Sequence, residues 1–267
     1  MNRYSRTCTA SAALALLLAA DWAAAASWPA LRDTYFAGKQ LDAAPFIHIS
    51  APARAASGEQ VPLAFRIDQP ARDDPMKEKR RIVAVSVFVD ANPVPLTAVF
   101  RFQPDGAPID IATRIRFDVD SPVHLVAEAA DGKLYVAEVM VKASGGCGGS
   151  VAGDDPAVLA AAGKMKLALD GPLRRGAVNK ARLLVRHPMH TGLQRDLSTN
   201  GFRPAFYIDR IAVSYRGKPV LAADTSIGIS ENPLLEFGFM AEGPGVLEVV
   251  LRDNHGATFR QSLDTGG

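Results

Sequence analysis

The fold expected of this sequence is all-β: two antiparallel β-sandwiches joined by a glycine-rich cysteine arm and a short helix. Three observations predict it. Apolar residues recur at a period of two in many short runs, as in Val61, Leu63, Phe65 and Ile67. Turn dipeptides such as Asp131-Gly132 separate the runs, the pattern of a sandwich built from hairpins. The alternation stops at Lys142-Ala143-Ser144-Gly145-Gly146-Cys147-Gly148-Gly149-Ser150 and resumes near Lys166. The expected divisions are a leader over 1–26, a first sandwich over 27–143, the arm and helix over 144–163, and a second sandwich over 164–267.

The leader comes first. Arg3 and Arg6 form a positive start, Ala10 to Ala20 is a short apolar run, and Ala24-Ala25-Ala26 offers a small-residue cleavage site. This is the pattern of a secretory signal peptide, and the run is too short to span a bilayer. Export to the periplasm without a membrane anchor is therefore expected. Cys8 would leave with the leader, so that the exported protein keeps one cysteine, Cys147.

The first half opens with Trp28, Leu31, Tyr35 and Phe36. The spacing of Leu31 and Tyr35 predicts a short amphipathic helix. Strands are then expected around Val61–Ile67, Val83–Val89, 96–102, 114–119, 124–129 and 134–141. Asp90-Ala91-Asn92-Pro93, Asp105-Gly106 and Ser121-Pro122 punctuate them, and Asp131-Gly132 marks the clearest hairpin.

The arm carries the chemistry. Glycine has no Cβ, so Gly145, Gly146, Gly148 and Gly149 read as a mobile tether that presents Cys147 to solvent. The alternative is a flexible linker with an incidental cysteine. A single thiol in an exported protein cannot form an internal disulfide, which favours a functional role. An exposed thiol has a pKa of about 8.5, so only a few per cent is the nucleophilic thiolate at neutral pH. After the arm, Asp154-Asp155-Pro156 predicts a helix start and Gly163 its end.

The second half repeats the class of the first and not its sequence. Strands are expected around 180–186, 205–215, 220–223, 234–239, 245–252 and 258–263, with turns at Arg216-Gly217-Lys218-Pro219 and Asp253-Asn254-His255-Gly256.

The motifs resemble a known pair of families. Gly145-Gly146-Cys147-Gly148-Gly149 resembles the carrier motif of SoxY proteins. His187-Pro188-Met189-His190-Thr191-Gly192-Leu193 resembles the H-P-M-x-T-G-L signature of SoxZ, and so do the stretches at 204–208, 230–237 and 253–256. The order of the motifs is similar to that of the fused SoxYZ-like group associated with quinoprotein dehydrogenases. The resemblance implies immunoglobulin-like sandwiches and a periplasmic carrier that is not itself an enzyme. It implies that thiosulfate-derived intermediates are held covalently on Cys147. The implied partners are a c-type cytochrome and a sulfate thiohydrolase, or a quinoprotein dehydrogenase system. In SoxY the motif ends the chain, whereas here it is internal and tethered at both ends.

Other sites are weaker. His187 and His190 flank Met189, which reads either as a copper or zinc site or as a structural loop. His48, His124 and His255 are scattered and read as surface or turn residues. The charged run 73–81 reads as a solvated loop or a docking patch. With a net charge of +2 and no basic stripe, nucleic acid is not an expected partner. No cofactor or metal is called for. The competing functions are an interaction module for a quinoprotein dehydrogenase or its cytochrome, a metal chaperone, and a disulfide oxidoreductase, which lacks a resolving cysteine.

Overall fold

A computed structural model describes residues 27–69, 80–103, 108–151 and 156–266. The expected leader, the Asp105-Gly106 turn, the Asp154-Asp155 cap and most of the charged run lie outside the described residues.

The first half holds α1 (Trp28–Tyr35), β1 (Leu41–Ala43), β2 (Ile47–Ser50), β3 (Val61–Ile67) and β4 (Ile82–Val89). It continues with β5 (Leu96–Phe102), β6 (Ile109–Ile115), β7 (Ser121–Ala129) and β8 (Leu134–Val141). The connection contains β9 (Ser150–Val151) and α2 (Pro156–Ala160). The second half holds β10 (Met165–Leu169), β11 (Ala177–Val185), β12 (Arg195–Asp196), β13 (Gly201–Phe202) and β14 (Ile208–Tyr215). It closes with β15 (Lys218–Thr225), β16 (Leu234–Ala241), β17 (Val246–Asp253) and β18 (Thr258–Asp264).

Each half is a sandwich, as the alternation predicts. In β3 the residues Val61, Leu63, Phe65 and Ile67 face inward, and in β16 Leu235, Phe237, Phe239 and Ala241 do the same. The turns also follow the local chemistry. Gly132 takes φ +83 between β7 and β8, and Arg216 and Gly217 take φ 51 and 73 between β14 and β15. Two consecutive positive φ values match the right-handed twist of the strands they join.

The halves are joined by more than the arm. Both sheets run through from one half to the other. One has the order β1-β8-β7-β4-β5-β15-β14-β17-β18, and the other β10-β11-β16-β6-β3-β2. The seam is β5 with β15, from Leu221↔Phe102 to Thr225↔Ala98, and β6 with β16, from Leu235↔Thr113 to Phe237↔Ile111. Two open edges on each half are thereby paired, which satisfies backbone groups that would otherwise invite another chain. Side chains from both halves, such as Phe65, Phe100, Phe237 and Val249, share one core.

α1 lies on the outer face of the larger sheet. It covers Phe88, Val126 and Leu134 with Leu31, Trp28 and Phe36. Val85, Val87 and Val89 face the main core, and alternation along β4 turns Phe88 to this outer face. Tyr35, expected on the packing side, is 42% exposed and meets Phe88 only edge-on, because Trp28 and Phe36 take the inner positions. His124, expected at the surface, is buried in β7. Its ring nitrogens lie 2.9 Å from Asp90 Oδ1 and 2.7 Å from Glu138 Oε2, and Trp28 stacks on it at 3.8 Å. Among the described residues no helix is long and apolar enough to cross a membrane.

Candidate functional site: a docked cysteine loop

The chain leaving β8 at Val141 runs beside residues 53–58. The Ala55 N–H donates to Lys142 O at 2.9 Å, and the Gly58 N–H donates to Ser144 O at 2.8 Å. The ladder continues into the arm, where Gly145 N–H donates to Asp118 O (2.9 Å) and Gly146 N–H to Phe117 O (2.8 Å). Gly146 is there for closeness. A Cβ at this position would collide with the Gly58 carbonyl, and one at Gly58 would collide with the Phe117 carbonyl. Gly145 turns the chain at φ +79, a region costly for other residues.

Cys147 then enters the junction of the two halves. It is only 2% exposed. Its carbonyl accepts a 2.6 Å hydrogen bond from Thr191 Oγ1, which in turn accepts from Leu193 N–H at 3.1 Å. Thr191 belongs to the 187–193 loop of the second half. That loop is pinned by reciprocal backbone bonds between His190 and Phe206 (2.7 and 3.1 Å). Arg116, 4% exposed and directly after β6, clamps the same place. Its Nη1 donates to Gly146 O (2.9 Å), Nη2 to Met189 O (3.2 Å) and Nε to Ile229 O (3.3 Å). Three carbonyls from both halves thus close on one guanidinium. Beyond the sulfur, Gly149 turns at φ +105 and its carbonyl accepts from Arg195 N–H at 2.8 Å. Ser150 and Val151 then pair in parallel with Arg195 and Asp196.

The expectation of a solvent-borne thiol on a mobile tether is therefore wrong for this conformation. Gly145, Gly146, Cys147 and Gly149 each make a backbone hydrogen bond, and Gly148 lies against Leu193 O. Gly146 permits close approach to neighbouring backbone, and Gly145 and Gly149 permit turns at positive φ. The enclosure acts on the chemistry. Burial, then the Asp118 carboxylate, push the thiol from an ordinary 9.0 up to about 12, with Arg116 opposing. Docked Cys147 is a neutral thiol and a poor nucleophile, since the thiolate is the reactive form. Burial also draws the Arg116 guanidinium below its usual value, although arginine keeps its charge in proteins.

The histidines serve the loop. His187 Nδ1 accepts from Met189 N–H at 3.2 Å, and the Met189 sulfur accepts from Ile208 N–H at 3.3 Å. Burial holds His187 down at about 4, so the ring is neutral. Phe206 packs between His187 (4.4 Å) and His255 (4.8 Å, stacked). Among the described residues no three His, Cys, Asp or Glu side chains converge as metal ligands.

Sequence reasoning missed Arg116, Asp118, Gly58 and Asn92. Asn92 donates to Arg116 O (2.8 Å) and accepts from Asp118 N–H (2.9 Å), fixing both neighbours of Phe117. Arg116 keeps step with the alternation Arg114-Ile115-Arg116-Phe117-Asp118, so nothing local set it apart from an outward-facing residue.

Two family models divide the chain at this site. Residues 32–147 match the sulfur oxidation protein SoxY, and residues 170–264 match the sulphur oxidation protein SoxZ. The chain is a SoxY–SoxZ fusion. The SoxY match ends on Cys147 itself, and the SoxZ match contains the loop that receives it. Among solved structures, the fusion is similar to the sulfur carrier protein SoxY from Chlorobium limicola f thiosulfatophilum. The identity is 24% over 42% of this chain and 87% of that one, with a TM-score of 0.33. It is also similar to fibronectin(III)-like modules of Clostridium thermocellum CbhA, at 14% identity, 82% and 92% coverage and a TM-score of 0.24. A Parabacteroides merdae β-glucuronidase aligns at 10% identity over 83% of this chain and 25% of that one, with a TM-score of 0.26. None of the curated proteins matches the fusion. The two family matches, and not these structures, carry the assignment.

Proposed function

We propose that the fusion is a periplasmic carrier that holds thiosulfate-derived sulfur on Cys147 for partner enzymes. The observation that carries this reading is the meeting of the end of the SoxY match and the SoxZ loop at one residue, Cys147. Partners would be a c-type cytochrome that oxidatively joins the cargo to the thiol and a sulfate thiohydrolase that trims it. The divisions 1–26, 27–143, 144–163 and 164–267 are the working units of the proposal.

Loading requires the arm to leave its berth. Five hydrogen bonds hold residues 145–149, those of Gly145, Gly146 (two), Cys147 and Gly149. At a net value of about 1 kcal/mol each, release costs about 5 kcal/mol. A partner that bound the extended arm would have to supply this. From Val141 to Cys147 the extended reach is about 20 Å at ~3.3 Å per residue.

The test is intact mass of the full chain purified without reductant from cells oxidising thiosulfate. Adducts of sulfur or thiosulfate on Cys147, absent in Cys147→Ser, are expected. An unmodified cysteine under those conditions would overturn the carrier reading.

Burial of Cys147 favours a second reading. A sulfur this enclosed suits an interaction module for a quinoprotein dehydrogenase or its cytochrome, with the thiol secondary. Cys147→Ser separates the two, since a carrier loses function and a module keeps it.

A further inference from the structure

The seam between the halves is not closed along its whole length. In one sheet, β6 and β16 stop pairing at Phe237↔Ile111, although β6 continues to Ile109 and β16 to Ala241. In the other, β15 begins at Lys218 but meets β5 only from Leu221↔Phe102. Pro219 lies in the unpaired stretch and has no N–H to give to a ladder. Both sheets part at the same end, and a wedge of about 450 Å³ opens between them.

The wedge has the make-up of a small-molecule site. Its volume falls within the roughly 300–1,000 Å³ usual for ligand pockets. Phe102, Ile111, Val220, Leu221 and Phe239 make the apolar wall. Its polar lining includes Arg216, Lys218, Asp110 and Glu242. Asp110 is neutralised by Lys180, whose Nζ reaches it at 2.7 Å across Gly238, the residue paired with Lys180. Neither Arg216 nor Lys218 pairs with a carboxylate among the described residues. Among the described lining residues, Arg216 and Lys218 stand against the carboxylate of Glu242, a positive balance.

We propose that the wedge binds a small amphipathic organic anion. The apolar body lies between the parted sheets, and the acidic head sits by Arg216 and Lys218. The site is separate from the cysteine berth. Ile109 begins β6 and Arg116 lies just past its other end, about 23 Å away at ~3.3 Å per residue.

The test titrates the full chain with 8-anilinonaphthalene-1-sulfonate by fluorescence, with equilibrium dialysis for stoichiometry. Its uncharged relative N-phenyl-1-naphthylamine is titrated beside it. One saturable sulfonate site per chain is expected, unchanged in Cys147→Ser. The exposed double variant Arg216→Glu/Lys218→Glu should weaken the sulfonate roughly tenfold and the uncharged probe by less than about twofold. Val220→Trp should fill the wedge and abolish both. Absence of a saturable site in the folded chain overturns the proposal. So does unchanged sulfonate affinity in the charge variant. Should Val220→Trp fail to fold by circular dichroism, the charge variant decides alone.

Discussion

The Thr191 hydroxyl donates to the Cys147 carbonyl at 2.6 Å, so a side chain of the SoxZ half holds the last residue of the SoxY half. The same oxygen accepts from Leu193 N–H, and the loop and the arm are latched through one atom. Thr191→Val keeps the shape and deletes the latch. It should cost about 1–2 kcal/mol and raise the rate of Cys147 with a thiol reagent such as Ellman's reagent roughly tenfold. The wild-type thiol itself should react about a thousandfold more slowly than in urea-unfolded chain.

The two glycines beside the sulfur should respond unequally to alanine. Gly146→Ala drives a methyl group into the Gly58 carbonyl, while at Gly148 the nearest atom is Leu193 O at 3.9 Å. Gly146→Ala should expel the arm, lower the melting temperature and speed thiol labelling at least about a hundredfold. Gly148→Ala should change labelling by less than about threefold. Equal effects would contradict the docking described for Gly146.

Alkaline titration reads the berth from another side. The Cys147 thiol is raised in the fold from 9.0 to about 12, so the folded chain keeps a proton that the unfolded chain loses. That contribution is whole below pH 9 and is lost as pH rises toward 12. Denaturant unfolding of wild type minus Cys147→Ser should fall by about 1–2 kcal/mol between pH 9 and pH 10.5. A flat difference would mean that the sulfur is solvated.

Acid should find His187. Its ring is held down at about 4 from 6.5 by burial, so the unfolded chain binds the proton first as pH falls. The stabilisation is whole above pH 6.5 and is lost on the way to pH 4. His187→Asn supplies an acceptor for Met189 N–H without the titration. Wild type should lose up to about 3 kcal/mol relative to this variant over that range, measured by urea unfolding.

Much of the fold was legible because its signals are local. Val61, Leu63, Phe65 and Ile67 declare an inward face, and Asp131-Gly132 declares a turn, without help from the rest of the chain. The seam was not legible. The pairing of Phe102 with Leu221 joins residues far apart in sequence, and an edge strand reads like a central one when both carry apolar rows. At the site, Cys147 and the 187–193 loop could be picked out separately, but not their contact. The glycines misled because the same lack of a Cβ serves freedom and close packing alike. Gly58, the residue that decides between them for Gly146, lies far upstream. Arg116 was missed because a strand-end arginine ordinarily points to water.

Because strands of both sheets pair across the junction, β5 with β15 and β6 with β16, the two lobes cannot swing like jaws. Whatever brings the sulfur to a visiting enzyme must peel away only the short cord between Val141 and the second lobe, while the body under it stays as fixed as an anvil. The visitor must therefore work at the rim, gripping a loop anchored at both feet, and let go before the cord can settle back.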